Sequence, residues 1–121
     1  MPTNLYGPRD NYNLKDGHVM AALIRKFHEA KLNNEDKVIC WGTGKPLREF
    51  LYVEDFAEAC LYSLENWEIN NKNSPKDANG NLLYWLNVGS DYEISIYNLS
   101  LQIAKIIGFN GEILWDHSKP D

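Results

Sequence analysis

The sequence predicts an α/β protein, and three observations predict it. Short β-branched runs alternate with amphipathic stretches of roughly three to four helical turns, the pattern of strands interleaved with helices. The composition is that of an ordinary globular domain: 44% hydrophobic and 24% charged residues in a chain of 121, which excludes disordered, collagenous and fibrous classes. The strands, however, are few. Three short ones make a thin sheet beside the usual five or six. The chain also opens on a strand end and stops at Lys119-Pro120-Asp121 without a finishing element. A piece of a larger α/β enzyme, cut at both ends, is the expectation.

Met1 to Pro8 reads as a strand end followed by a loop, because Gly7-Pro8 breaks regular structure. Residues 9–17 form a polar loop. From Val19 to Lys31, Met20, Leu23, Ile24, Phe27 and Ala30 recur at helical spacing with Arg25, Lys26 and Glu29 between them. Lys37 to Trp41 is a strand, stopped by Gly42-Thr43-Gly44-Lys45-Pro46. Arg48 to Val53 is extended and leads into a second helix from Glu54 to Asn66, with a buried stripe expected of Phe56, Ala59, Cys60, Ser63 and Leu64. Residues 67–81, rich in Asn, Lys, Asp and Pro, mark a solvated surface loop. Trp85 to Val88 is a strand candidate ending at Gly89. Ser95 has the chemistry of an N-cap, its hydroxyl able to accept from first-turn amides. The helix behind it places Ile96, Leu99, Ile103 and Ile106 on one face and ends at Gly108, suited to a left-handed cap. Glu112 to Trp115 is a last short strand.

Charge and length narrow the function. A net charge of −5 argues against a nucleic-acid binder, whose affinity comes mainly from neutralising phosphates. No apolar run reaches the roughly 20 residues of a membrane span, and Met1-Pro2-Thr3-Asn4 is too polar to open a signal segment. A soluble, cytoplasmic protein is expected. Cys40 and Cys60 are too few for a disulfide framework and lie in apolar stretches, which suggests reduced core residues. His18, His28 and His117 have no metal-ligand spacing, so no metal site is expected.

No self-sufficient catalytic motif is present. Gly42-Thr43-Gly44 follows a strand but leads to Pro46, not into a phosphate-binding helix. Dispersed residues at element ends carry the chemistry instead, where ligands bind in α/β folds. His18, at a loop-to-helix turn, is either a helix-start polar residue or a general acid titrating near neutral pH. Trp41 is either core or a flat surface on which a nucleobase stacks. Lys26 is a solvated helix residue or a point charge for a diphosphate. Arg48 presents a planar fork suited to phosphate or ribose oxygens.

Three stretches in order, Pro2-Thr3-Asn4-Leu5-Tyr6-Gly7-Pro8, Arg48-Glu49-Phe50-Leu51-Tyr52-Val53-Glu54-Asp55 and Asn87-Val88-Gly89, resemble the carboxyl-side portion of the extended short-chain dehydrogenase/reductase family, whose members modify nucleotide sugars. Within it, Gly17 to Ala30, Trp41 to Phe50 and the terminal Ser118-Lys119-Pro120-Asp121 are similar to the NADP-dependent 3,5-epimerase/4-reductases acting on GDP-4-keto-6-deoxy-mannose. The resemblance covers nearly all of this chain and well under half of such an enzyme. It implies the substrate-binding part of an extended Rossmann-type fold, with the main NADP-binding sheet missing. It implies that Pro2, Thr3, Asn4 and Leu5 meet the nicotinamide part of NADP, and that His18 sits beside the cofactor as the acid of epimerisation. Lys26, Trp41, Arg48 and Asp121 are implied to contact the GDP-sugar. In the parent reaction, protons are removed and returned beside the 4-keto group, and hydride then passes from NADPH to C4.

The chain departs from the family pattern at several points. Position 26 is Lys where Arg is also familiar, which keeps the charge and gives up the fork. Ser90-Asp91 follows Asn87-Val88-Gly89 in place of a second glycine, and the 67–81 loop is long. The family's glycine-rich NADP turn, Tyr-x-x-x-Lys pair, accompanying Ser and basic Cys are absent, and neither Cys40 nor Cys60 is assigned the last role. The fragment alone is therefore expected to be inactive and to bind NADP(H) weakly or not at all. Its implied partners are a GDP-sugar and the missing amino-terminal portion, with a homodimeric parent. The competing readings are a region of another nucleotide-sugar epimerase or dehydratase, and a non-catalytic nucleotide-sugar-binding module.

Overall fold

The computed structural model describes residues 1–14 and 16–121. The elements are β1 (Asn4–Tyr6), α1 (Val19–Leu32), β2 (Lys37–Trp41), β3 (Leu47–Tyr52), α2 (Val53–Asn66), β4 (Glu93–Ser95), α3 (Ile96–Ile107) and β5 (Glu112–Asp116). They fall into two units, one of Met1–Gly7 and Glu49–Tyr92, the other of Pro8–Arg48 and Glu93–Asp121. The α/β class holds. The three expected strands become five among the described residues: the strand end before Pro8 and the extended stretch from Arg48 pair as β1 and β3, and β4 precedes α3.

In the Pro8–Arg48 and Glu93–Asp121 unit, β2 and β5 pair in parallel with Lys37 opposite Glu112 and Trp41 opposite Asp116. Strand alternation turns Val38 and Cys40 inward and leaves Lys37, Ile39 and Trp41 exposed. Helix α1 packs against α3 and β2, burying Ala21, Leu23, Phe27 and Ala30. The ring of Phe27, fully enclosed, lies 5.5 Å from that of Phe109 in a tilted pair, the arrangement the ring quadrupoles favour. Lys31 Nζ donates to the carbonyl of Ile107 at 2.6 Å, satisfying a last-turn acceptor of α3.

The predicted caps of α3 are present: Ser95 Oγ accepts from the Asn98 amide at 3.1 Å, and Gly108 is left-handed at φ 77°. Its buried face is Leu99, Ser100, Ile103 and Ala104, not the expected line through Ile106, which is 83% exposed. At about 100° per residue, Ile106 lies roughly a quarter-turn from the centre of that face.

In the Met1–Gly7 and Glu49–Tyr92 unit, β1 pairs in parallel with β3, Asn4 opposite Phe50 and Tyr6 opposite Tyr52. The Trp85–Val88 strand is not formed. Val88 makes only an isolated parallel bridge to Pro2, through Thr3 N to Val88 O at 3.1 Å and Val88 N to Met1 O at 2.9 Å; proline, with no N–H, cannot extend the ladder. Helix α2 starts one residue earlier than expected, at Val53, and has no buried residue. The expected stripe is therefore corrected: Phe56, Ala59 and Ser63 are half-buried, and Leu64 and Cys60 are exposed. Cys60 is not a core residue, whereas Cys40 is. Among the described residues, Leu51 is the one hydrophobic side chain of this unit that is buried.

Candidate functional site

The motif residues of the β1–β3 unit hold one another. Asn4 Nδ2 donates to the Glu49 carbonyl at 2.9 Å, and Glu49 Oε1 accepts from the Asp91 amide at 2.9 Å. A side chain at position 89 would place its Cβ 2.1 Å from Glu49 Oε1 and 3.0 Å from Thr3 Cγ2, so any larger residue there would push the Glu49 carboxylate aside. Three separated sequence motifs thus meet around Glu49, a residue to which sequence reasoning assigned no role. Of the expected cofactor loop Pro2 to Leu5, the Thr3 amide and the Asn4 side chain are already engaged. Thr3 Oγ1 is buried and has no hydrogen-bond partner among the described residues. An unpaired desolvated hydroxyl is a cost to the fold, and it is the polar side-chain group of this loop that is not already engaged.

The other unit carries a cleft of about 380 Å³, and Lys26, Trp41, Arg48 and Asp121 all line it. These four were read from positions far apart in sequence, and the fold gathers them around one cleft. Lys26 projects from α1, its Nζ donating to the Ile39 carbonyl at 2.7 Å and standing 5.8 Å from the Trp41 ring centroid. Lys119, to which sequence reasoning gave no separate role, places its Nζ at the same distance from that ring. Trp41, at the end of β2, is 52% exposed, so the core reading does not hold and a wide aromatic face stands open with cations beside it. Arg48 donates from Nη1 to the Leu47 carbonyl at 2.8 Å.

Asp121 is held by the glycine-rich loop. Its Oδ1 accepts from the Thr43 amide at 2.5 Å, and Thr43 Oγ1 lies 3.0 and 2.9 Å from the two carboxylate oxygens. These bonds, the backbone one foremost, hold the carboxyl below its ordinary value, with the Gly44 amide and the charge of His117 adding to them. Gly42 is left-handed at φ 74°, and a Cβ there would fall 2.3 Å from Asp121 Oδ1. The Gly42-Thr43-Gly44 sequence signalled a turn; its role as a clasp for a residue 78 positions later had no local signal. Cys40 also lines the cleft. Burial pushes its thiol upward, against the opposing charge of Lys26 and a bond with Ser100.

His18 is exposed. It occupies the N-cap position of α1 with extended backbone, and its side chain makes no capping bond. Its neighbours Gly17 and Val19 line the cleft. Pro2 to Leu5 lie in the other unit.

Residues 1–79 match the family described as NAD dependent epimerase/dehydratase. The chain is 44% identical over 121 residues to GDP-L-fucose synthase 1 of Arabidopsis thaliana, covering all of this chain and 33% of that protein. It is 43% identical over 122 residues to GDP-L-fucose synthase of Escherichia coli K12, covering 100% of this chain and 36% of the relative. The structure of a GDP-L-fucose synthetase from Naegleria fowleri bound to NADP superposes with a TM-score of 0.77 at 31% identity, over 99% of this chain and 34% of that one. The chain thus spans about a third of the length of the relatives it matches.

Proposed function

This chain belongs to the NAD dependent epimerase/dehydratase family, and we propose that it supplies the GDP-sugar-binding portion of an NADP-dependent 3,5-epimerase/4-reductase that converts GDP-4-keto-6-deoxy-mannose to GDP-L-fucose. The observation that carries this reading is the convergence of Lys26, Trp41, Arg48 and Asp121 on one cleft, in a chain 43–45% identical to GDP-L-fucose synthases.

Each residue has a distinct task. Trp41 offers its exposed indole to the guanine, since two large π faces stack without needing charge. Lys26 and Arg48 neutralise the diphosphate, the first as a point charge and the second as a planar fork. Asp121, kept ionised by Thr43, accepts hydrogen bonds from ligand hydroxyls or ring N–H groups. His18 is the proton donor of epimerisation: its imidazole is exposed and not engaged in capping its own helix, so it is available to a reacting carbon. Pro2 to Leu5 are the residues that would meet the nicotinamide, and NADPH when bound supplies the hydride of the reduction. The 121 residues contain no Tyr-x-x-x-Lys pair, so reduction by this polypeptide alone is not part of the proposal.

The test is calorimetric titration of the 121-residue chain with GDP and UDP. Tighter binding of GDP is expected; a preference for UDP would place the chain with another nucleotide-sugar enzyme. The same preparation, given NADPH and GDP-4-keto-6-deoxy-mannose, is expected to leave the NADPH absorbance unchanged. Turnover would show that these 121 residues carry out the reduction themselves.

A further inference from the structure

One cation beside the cleft has no role in the binding scheme. Lys119 follows β5 and directly precedes Pro120 and Asp121, both of which line the cleft. Its side chain is exposed, and its Nζ stands 5.8 Å from the centroid of the Trp41 ring. The ammonium is unclaimed by the protein: among the described residues it has no hydrogen-bond acceptor, and the one ion pair is Arg25 with Glu29. Asp116 feels its charge but is held by Ser118, whose amide and hydroxyl lie 3.0 and 2.6 Å from Asp116 Oδ1. Lys26 and Arg48, by contrast, each spend a donor on a backbone carbonyl.

The backbone under Lys119 is fixed from both sides. Its amide donates to the Asp116 carbonyl at 3.2 Å, closing the turn behind β5. Two residues on, the Asp121 carboxylate is clasped by Thr43. The segment is thus anchored where it meets the cleft, while the flexible four-carbon stem leaves the charge free to adjust to a ligand.

The charges select the acceptor. Lys26 Nζ lies 5.8 Å from the same ring, so two ammonium groups converge on one indole. They attract the ring and repel each other, and an anion entering beside them lowers the energy of both. The carboxylate of the cleft lining, Asp121, is already occupied by Thr43. An ionised phosphate oxygen accepts from an ammonium about twice as strongly as a neutral acceptor does. At an exposed site the contact with the ring is weak by comparison, so the stem can exchange it for phosphate. We propose that Lys119 is a further substrate-binding residue: its ammonium binds the diphosphate of the nucleotide whose base lies on Trp41, as a third cation beside Lys26 and Arg48. The proposal rests on the GDP-sugar reading and deepens it by one residue.

Wild-type chain, Lys119→Gln and Lys119→Arg are titrated with GDP and with guanosine, which lacks the diphosphate. Lys119→Gln is expected to weaken GDP about fivefold, the upper range for an exposed charge pair, and to leave guanosine binding unchanged. Lys119→Arg keeps the charge and is expected to retain most of the GDP affinity. Added salt should narrow the gap between wild type and Lys119→Gln, because an exposed contact is screened. Undiminished GDP binding by Lys119→Gln overturns the proposal. So does an equal loss with guanosine, which would put the contact on the base, or a loss in Lys119→Arg as large as in Lys119→Gln. If wild type binds GDP no better than UDP, the reading of the cleft itself fails and takes this assignment with it; if it prefers GDP and Lys119→Gln binds GDP equally well, only the assignment of Lys119 fails.

Discussion

Asp121 and His18 show opposite relations between a side chain and the backbone around it. The Asp121 carboxylate is held by Thr43 through amide and hydroxyl, so its folded pKa is depressed. A depressed acid stabilises the fold fully above its unfolded value and loses that contribution as pH falls through the folded one. The clasp is therefore expected to be complete at neutral pH and to open only below the ordinary carboxyl range. Thr43→Val removes the hydroxyl bonds and leaves the amide, and an NMR titration should show the Asp121 carboxyl moving back up toward its ordinary value. An unchanged titration would mean that the hydroxyl contributes nothing. His18, by contrast, caps nothing. His18→Ser is expected to raise stability to denaturant by about 1 kcal/mol, because a serine hydroxyl can accept from the exposed amides of α1. That gain is the stability forgone by placing an imidazole at this position, as functional sites often do. A loss of stability instead would show that His18 supports the helix.

Helices α2 and α3 separate what pattern determines from what packing determines. The caps of α3 were legible because capping is local: Ser95 and Gly108 act within one turn of their own chain. The buried stripe of α2 was not, because an apolar face is buried only where another element covers it. Within its unit α2 packs on the three-residue β1, too short to cover four turns of helix. Leu61, Tyr62 and Leu64 stay 60%, 69% and 83% exposed. Paired substitutions make the difference measurable by thermal and urea unfolding of the chain. Ser95→Ala should cost about 1 kcal/mol through the lost cap. Leu64→Glu, a drastic change by the sequence pattern, should stay within about 0.5 kcal/mol, as surface substitutions do. A loss above about 2 kcal/mol at Leu64 would mean that the face is covered in solution.

Over the whole molecule, the apolar core is unevenly distributed. Leu51 is the buried hydrophobic residue of the Met1–Gly7 and Glu49–Tyr92 unit, while Phe27, Val38, Ile94, Leu99, Ile103 and Phe109 are among those of the other. Local opening is resisted chiefly by buried apolar contact. Amide hydrogen exchange is therefore expected to be slowest in α1, α3 and β2, and to proceed first in α2 and β1. Uniform protection across both units would contradict this. The cleft lies within the better-packed unit, as a site needing fixed geometry requires. The described residues contain no helix long and apolar enough to cross a membrane.

The sequence by itself determined the α/β class, the three helices nearly to the residue, the caps of α3 and the family, because helical periodicity, capping chemistry and ordered motifs are carried by neighbouring residues. It also singled out Lys26, Trp41 and Arg48 by their chemistry, with ordinary structural readings beside the first two, and Asp121 only through resemblance. Tertiary structure alone decided that these four share a cleft, that Glu49 ties three motifs together, that Thr43 clasps Asp121 and that Lys119 reaches the Trp41 ring. Each of these depends on residues tens of positions apart meeting at hydrogen-bond or van der Waals distance. No local pattern encodes such distances, since they are set by how strands register and helices pack.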